Sequence, residues 1–104
     1  MQTAIVQFRL PAPISVEEAA QRFEATAPKY RNLPGLIRKY YLLSEDGSRV
    51  GGVYLWETRA AGEAVYDGTW RARVEELYGS APEITWFATP VIVDNHAGAI
   101  TKAA

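Results

Sequence analysis

The residues of this chain that are best suited to act on a ligand are large aromatic side chains that follow two glycines. Tyr54 and Trp56 come directly after Gly51 and Gly52, in the run Gly-Gly-Val-Tyr-Leu-Trp. Glycine weakens a strand unless something must approach its backbone, whereas aromatic residues favour a pleated, half-buried surface, so the run predicts a strand that walls a space. Tyr54 and Trp56 share one face of that strand. They either fill an interface between two copies of the chain or line a pocket for a flat organic ligand.

A small-molecule pocket also needs a few oriented polar groups, and the neighbouring predicted strands carry candidates. Gln7, Arg9 and Lys39 could make these contacts, and Tyr41 lies on the same predicted face as Lys39. Arg9 and Lys39 could equally be surface charges whose aliphatic stems cover apolar area.

Three further aromatic residues could either contact a ligand or pack in the protein core. Tyr66 and Trp70 are four residues apart, which places them on one side of a helix if the helix is continuous between them. Trp86 lies in the last predicted strand, and its indole N–H needs a partner if it is buried.

Several other kinds of site lack the necessary residues. The chain has no Cys and a single His, His96, which stands beside Asp94 and Asn95 and lacks the further ligands of a metal cage. No serine stands in a Gly-x-Ser-x-Gly elbow, and Gly51-Gly52 lacks the Gly-Lys-Ser/Thr ending of a phosphate loop. We therefore expect no metal site, no nucleophilic triad and no nucleotide site.

Charge and hydropathy exclude two classes of partner. The net charge is −1 and the pI is about 5.8, which leaves no basic field for nucleic acid. No apolar run approaches the length that spans a membrane. Met1 leads straight into a strand-like segment rather than a signal peptide, so we expect a cytoplasmic protein.

The hydrophobic pattern predicts a single α+β domain over residues 1–104 with the ferredoxin-like order βαββαβ. Ser15 and Glu18 form a capping box for the first helix, and Thr58 begins the second, which breaks at Asp67-Gly68 and restarts at Thr69. The predicted strands are 3–10, 36–44, 49–56 and 83–93, the last interrupted by Pro90. Residues 94–104 are predicted to be a flexible tail or an arm that reaches a second subunit.

Both helices are expected on one face of a four-stranded antiparallel sheet. The opposite face is predicted to carry the candidate residues Gln7, Arg9, Lys39, Tyr41, Tyr54, Trp56 and Trp86, together with Ile5. That surface is too apolar to face water, so we expect a homodimer in which two sheets pack face to face.

Three segments of the chain resemble the YdhR-type mono-oxygenases, which belong to the dimeric α+β barrel superfamily together with the antibiotic-biosynthesis monooxygenases. They are Leu33-Pro-Gly-Leu36, Gly51-Gly-Val-Tyr-Leu-Trp56 and Ala64-Val-Tyr66, and the resemblance extends from about Thr3 to Val93. It implies a pocket between sheet and helices in which a phenolic or anthrone-like compound is oxygenated by dioxygen without flavin, haem or metal.

The resemblance also implies roles for the candidate residues. Tyr54 or Tyr66 would hydrogen-bond the substrate oxygens, Trp56 and Trp70 would stack on its rings, and a cation would stabilise the developing enolate. That cation would be Arg9 or Lys39.

The sequence departs from two branches of the superfamily. The second helix has no His to ligate haem, and no asparagine before that helix completes the residue set of the anthrone oxygenases. Two alternatives to a cofactor-free monooxygenase therefore stay open. One is a non-catalytic small-molecule binding protein, and the other is a non-redox isomerase, cyclase or decarboxylase.

Overall fold

A computed structural model describes residues 1–102 of the chain. Strands β1 to β6 span Gln2–Arg9, Leu36–Leu43, Arg49–Trp56, Glu83–Ala88, Val91–Asp94 and Ala99–Lys102. Helices α1 to α3 span Val16–Thr26, Arg59–Val65 and Gly68–Tyr78, and a 3₁₀ segment covers Ala27–Tyr30. Across residues 1–102, no helix is long and apolar enough to cross a membrane.

Strands β1 to β4 form one antiparallel sheet in the order β2-β3-β1-β4. The β2-β3 pair is the predicted hairpin around Gly47. Helical residues such as Trp70 and Val74 join Val6 and Phe8 of β1 in one buried core. The predicted α+β ferredoxin-like fold is thus confirmed, with the second predicted helix divided into α2 and α3.

The face of the sheet that the helices cover carries most of the aromatic candidates, which corrects the predicted assignment of faces. Ala4 of β1 is fully buried and pairs with Tyr54 on one side and Trp86 on the other, and Tyr54 pairs in turn with Lys39. Residues paired across strands point to the same face. The prediction that Lys39, Tyr41, Tyr54, Trp56 and Trp86 share a face with Gln7 and Arg9 is therefore wrong.

The physical reason for this error is that β3 carries apolar side chains on both of its faces. Val53 and Leu55 alternate with Tyr54 and Trp56, so the period-2 pattern does not identify the buried side. The structure buries the larger pair, and Val53 and Leu55 lie on the face away from the helices, which we call the open face.

Side-chain caps begin all three helices. The Ser15 hydroxyl accepts from the Glu18 amide at 3.1 Å, and the Thr58 hydroxyl accepts from the Ala61 amide at 3.2 Å. The start of α3 differs from the prediction: Asp67, not Thr69, is its cap, and its carboxylate accepts from the Trp70 amide at 2.8 Å. A cap accepts from the amide two or three positions later, and Asp67 has the required spacing.

The C-terminal part of the chain also differs from the prediction. The strand predicted over 83–93 ends at Ala88, because Pro90 cannot donate to the sheet. Strands β5 and β6 then form a separate hairpin, in which the Asp94 carboxylate accepts from the amides of His96 and Ala97. The predicted tail is therefore ordered up to 102, and residues 103–104 of that prediction lie outside the described residues.

Candidate functional site

The Lys39 side chain extends from β2 across the helix-covered face and ends among three tyrosine rings. Its Nζ lies 3.5 Å from the ring centroid of Tyr30, 3.7 Å from that of Tyr41 and 4.5 Å from that of Tyr54. None of the ion pairs within residues 1–102 involves Lys39. Burial lowers the pKa of the Lys39 ammonium from 10.5 to about 7, although ring faces favour the charged form. We call Lys39 and these three rings the lysine cage.

A small cavity adjoins the lysine cage, between the sheet and the helices. It encloses about 30 Å³, roughly the volume of one water molecule in the liquid. Phe8, Thr26, Trp70 and Tyr78 complete much of its wall. Its charged lining residues are the cations Lys29, Lys39 and Arg73. In the part of the chain that the structure describes, no carboxylate lines it, so the cavity favours anionic ligands.

Hydrogen bonds hold the rings of the lysine cage in place. The Trp70 indole donates to the Tyr30 hydroxyl at 3.0 Å, and the hydroxyls of Thr26 and Tyr41 are 2.9 Å apart. Burial raises the pKa of Tyr41 to about 12, and burial likewise raises the pKa of Tyr54 far above its ordinary value. Both hydroxyls therefore stay protonated near neutral pH and can donate hydrogen bonds, but they cannot act as bases.

A second aromatic layer lies behind Tyr54 and supports it. The Trp56 ring is parallel to the Tyr54 ring at a centroid distance of 6.1 Å, and its indole donates to the Tyr66 hydroxyl at 3.1 Å. Trp56 is fully buried, and Trp86 contacts Tyr66 at a centroid distance of 5.8 Å. Burial raises the pKa of Tyr66. These residues position Tyr54 rather than line the cavity.

Two glycines make room for this arrangement. A Cβ on Gly52 would lie 3.2 Å from the Lys39 Cε and 3.1 Å from a ring atom of Tyr54. A Cβ on Gly62 of α2 would lie 2.9 Å from the Trp56 indole nitrogen and would overlap the ring of Trp86. Glycine at these positions lets the lysine cross the sheet and lets α2 approach the aromatic layer.

The comparison with protein families identifies the chain. The model of the family described as "Putative mono-oxygenase ydhR" matches residues 5–101. The chain belongs to the YdhR family. A comparison with curated proteins yields no match.

Solved structures with the same fold include several oxygenases. The ActVA-Orf6 monooxygenase of Streptomyces coelicolor, in complex with nanaomycin D, is 18% identical, with a TM-score of 0.66 over 88% of this chain and 89% of that chain. SnoaB of Streptomyces nogalater, a cofactor-independent oxygenase, is 20% identical, with a TM-score of 0.60 over 85% and 91%. Rv0793 of Mycobacterium tuberculosis is 19% identical, with a TM-score of 0.61 over 86% and 95%. At these identities the likeness concerns the fold.

In this YdhR-family chain, the predicted site residues fall into three groups. Lys39, Tyr41, Tyr54 and Trp70 line the cavity, and Trp56, Tyr66 and Trp86 form the layer behind it. Gln7 and Arg9 lie on the open face. The backbone amide of Arg9 donates to the Ser80 hydroxyl. The structure therefore brings seven of the nine candidates to the helix-covered face and separates the other two from them.

Tyr30, Tyr78 and Arg73 also line the cavity but are not among the residues predicted from the sequence. Tyr30 stands in the 3₁₀ segment after Pro28, where no hydrophobic period applies. Tyr78 is the last residue of α3 and belongs to the apolar stripe of Trp70 and Val74, which could have revealed it. Arg73 is an exposed helical residue and offers no such signal.

The side chains of the described residues form no cage for a metal ion. Across residues 1–102, no three His, Cys, Asp or Glu side chains come together. His96 lies in the exposed turn of the β5-β6 hairpin, and its amide serves that turn.

Proposed function

We propose that this protein is a cofactor-independent monooxygenase that acts on a small aromatic phenol in the cavity between sheet and helices. The observation that carries the proposal is the lysine cage. It places a cation and several hydroxyl donors around a space whose walls are aromatic, in a chain of the YdhR mono-oxygenase family. Its fold relative SnoaB is described as a cofactor-independent oxygenase, and ActVA-Orf6 binds nanaomycin D.

The chemistry that such a site supports begins with the substrate itself. Loss of a proton leaves an electron-rich enolate, which reduces dioxygen, so that a CH₂ group and O₂ become a carbonyl group and water. The protein must position the ring, exclude water and stabilise negative charge on oxygen. No flavin, haem or metal is needed for that sequence of steps.

The residues of the cavity match these tasks. The Tyr54 hydroxyl donates to the substrate oxygen, the Trp70 ring stacks on the substrate, and the Lys39 ammonium stabilises the enolate. Trp56 and Tyr66 act through Tyr54, which they hold in place. Arg9 lies on the open face, so we assign the charge-stabilising role to Lys39 alone.

Entry of a substrate requires Tyr30 to move. A cavity of about 30 Å³ is far smaller than the pockets of roughly 300 Å³ or more that hold drug-sized ligands. A surface groove of about 380 Å³ shares Tyr30, Lys39 and Tyr41 with the cavity. We propose that Tyr30 separates the two spaces and that its displacement joins them into one site.

The test is oxygen uptake by the purified protein in the presence of anthrone, hydroquinones and polyphenols. Tyr54→Phe removes one donor from the cavity and should lower turnover by about 100-fold, the usual effect of losing such a donor. Tyr40→Phe is the matched control, because Tyr40 lies on the open face, across the sheet from the cavity. Equal turnover in both variants would contradict the assignment, and absence of uptake with every compound would contradict the oxygenase itself. Trp56→Ala is a poor test because Trp56 is part of the buried core.

A non-redox enzyme is the second candidate, and the Lys39 amine is the observation that favours it. An amine whose pKa is lowered can serve acid–base chemistry that consumes no oxygen. Product formed from the same compounds under nitrogen would support an isomerase, cyclase or decarboxylase. A binding protein without activity would instead show ligand-induced thermal stabilisation and no product in air or nitrogen.

We also propose that the protein is a homodimer that covers the open face. Leu42 and Phe87 on that face, and Val93 and Ile100 on the β5-β6 hairpin, are 40–68% exposed. Apolar residues gathered in this way are typical of an interface. Light scattering after size exclusion should give twice the chain mass at micromolar concentration. Phe87→Glu should produce monomers, whereas Val16→Glu, on exposed helix α1, should not; a monomeric wild type would contradict the proposal.

A further inference from the structure

Among the described residues that line the cavity, Lys39 alone is both enclosed and able to accept a proton near neutral pH. The tyrosines around it keep their protons, because burial raises the pKa of Tyr41, Tyr54 and Tyr78. Arginine stays protonated in proteins, which excludes Arg73. Within the described residues, the cavity lining contains no Asp, Glu or His.

The surroundings of Lys39 act on its charge in two opposing ways. Burial disfavours the ammonium, and the cations Lys29 and Arg73 on the same cavity add no stabilising partner. The three ring faces of the lysine cage favour the ammonium. A group balanced in this way changes protonation state at little cost, which is the property of an efficient general base.

We propose that Lys39 is the general base of the site, and that its neutral amine removes a proton from an acidic C–H or O–H group of a planar aromatic ligand. The location of the site rests on the proposed function, but the proton transfer needs no dioxygen. The amine lone pair forms the new N–H bond, and the electron pair of the broken bond stays on the ligand as an enolate or phenolate. Nothing is oxidised or reduced in this step.

The product of the transfer explains the geometry of the cage. The new ammonium lies against the faces of Tyr30, Tyr41 and Tyr54. Hydrogen bonds from Trp70 to Tyr30 and between Thr26 and Tyr41 hold two of these rings in place. It also lies beside the new anion, so base and charge stabiliser are the same group. The ligand class that fits is an aromatic compound that becomes anionic on deprotonation, in a cavity whose charged lining is cationic.

The first experiment measures the protonation of Lys39 in the protein as it is. The chain contains only three lysines, Lys29, Lys39 and Lys102, so carbon-13 labelling of lysine Cε gives three NMR signals. Lys39→Arg identifies the Lys39 signal by its loss. We expect that signal to titrate well below the ordinary lysine pKa of about 10.4. Titration at the ordinary value would overturn the proposal, and the titration itself is measured on the wild-type protein.

The second experiment measures proton abstraction without oxygen chemistry. Anthrone is incubated with the protein in D₂O under nitrogen, and exchange of its methylene hydrogens for deuterium is followed by NMR. We expect Lys39→Met and Lys39→Arg each to lose about 100-fold of the protein-dependent exchange. The arginine variant keeps the charge but cannot accept a proton, so it separates a base from a mere cation. Lys102→Met, on the exposed β6, should exchange like the wild type.

The outcomes separate this proposal from the oxygenase proposal. Lys39-dependent exchange without oxygen uptake would retain the general base and reject the monooxygenase. Oxygen uptake with exchange that survives both Lys39 variants would retain the monooxygenase and reject the general base. Absence of protein-dependent exchange with anthrone, whatever the titration shows, would also reject the general base for this ligand class.

Discussion

Replacing Lys39 by methionine should make the protein more stable at low pH and leave its stability nearly unchanged at high pH. Methionine has a similar length and no charge, so it keeps the packing under the helices and removes the buried amine. In the folded protein the pKa of Lys39 is lowered to about 7, chiefly by burial. In the unfolded chain lysine keeps its ordinary pKa of about 10.4.

The magnitude follows from these two pKa values. Lowering a pKa from 10.5 to about 7 corresponds to roughly 5 kcal/mol of unfavourable charge burial. Because the unfolded chain binds the proton more tightly, the full penalty of roughly 5 kcal/mol applies below the folded-state pKa of about 7 and fades as pH rises toward about 10.4. Wild-type stability relative to the variant therefore increases with pH across that window.

The assay is urea unfolding of wild type and Lys39→Met at fixed protein concentration, from pH 6 to pH 10. The advantage of the variant should shrink by about 4 kcal/mol over this range. Lys102→Met provides the control, because Lys102 is exposed and its replacement should give a difference that does not vary with pH. A pH-independent difference for Lys39→Met would refute the reasoning, since it would mean that the buried amine carries no charge penalty.

The other predictions concern the elements that position the site. Gly62→Ala forces a Cβ against Trp56 and Trp86, so it should destabilise the fold by about 1 to 3 kcal/mol in urea unfolding. A Cβ at Gly68 meets no atom within 4 Å, so Gly68→Ala is the control and should change stability by less than about 1 kcal/mol. Equal effects would contradict the close approach of α2. Asp67→Ala removes the cap of α3 and should lower the free energy of unfolding by about 1 kcal/mol, whereas Thr69→Ala should lower it by less than about 0.5 kcal/mol. If thermal unfolding gave the reverse order, Thr69 would be the cap.

Most of the fold could be predicted because its signals are local. Ser15, Thr58 and the turn at Gly47 mark where elements begin and end, and these signals depend only on nearby backbone groups. The break at Asp67 was recognisable for the same reason. The β5-β6 hairpin was not, because its short strands are exposed and carry small residues that resemble a loose tail.

The composition of the site could be predicted better than its place in the fold. The alternating aromatic residues of β3 pointed to Tyr54 and Trp56 as site residues. However, both faces of β2 and β3 carry apolar or amphipathic side chains, so the sequence does not show which face is buried. The Val6 carbonyl lies where a Cβ of Gly51 would stand, and such a contact between strands depends on register. Tyr30 joins the site only through tertiary contacts with Trp70 and Lys39.

The cost of burying Lys39 and its proposed function have one physical cause. A lysine that faced water would keep its charge, would cost the fold nothing and would be a poor base near neutral pH. The same side chain under the helices has no acidic partner within residues 1–102. Desolvation disfavours its charged form and lowers its pKa toward neutrality. Lys39→Met should therefore gain stability at low pH and lose proton abstraction in the same protein. If the variant gained stability but kept proton abstraction, Lys39 would not be the base. If it lost proton abstraction but gained no stability, Lys39 would be a base whose pKa is not lowered by burial.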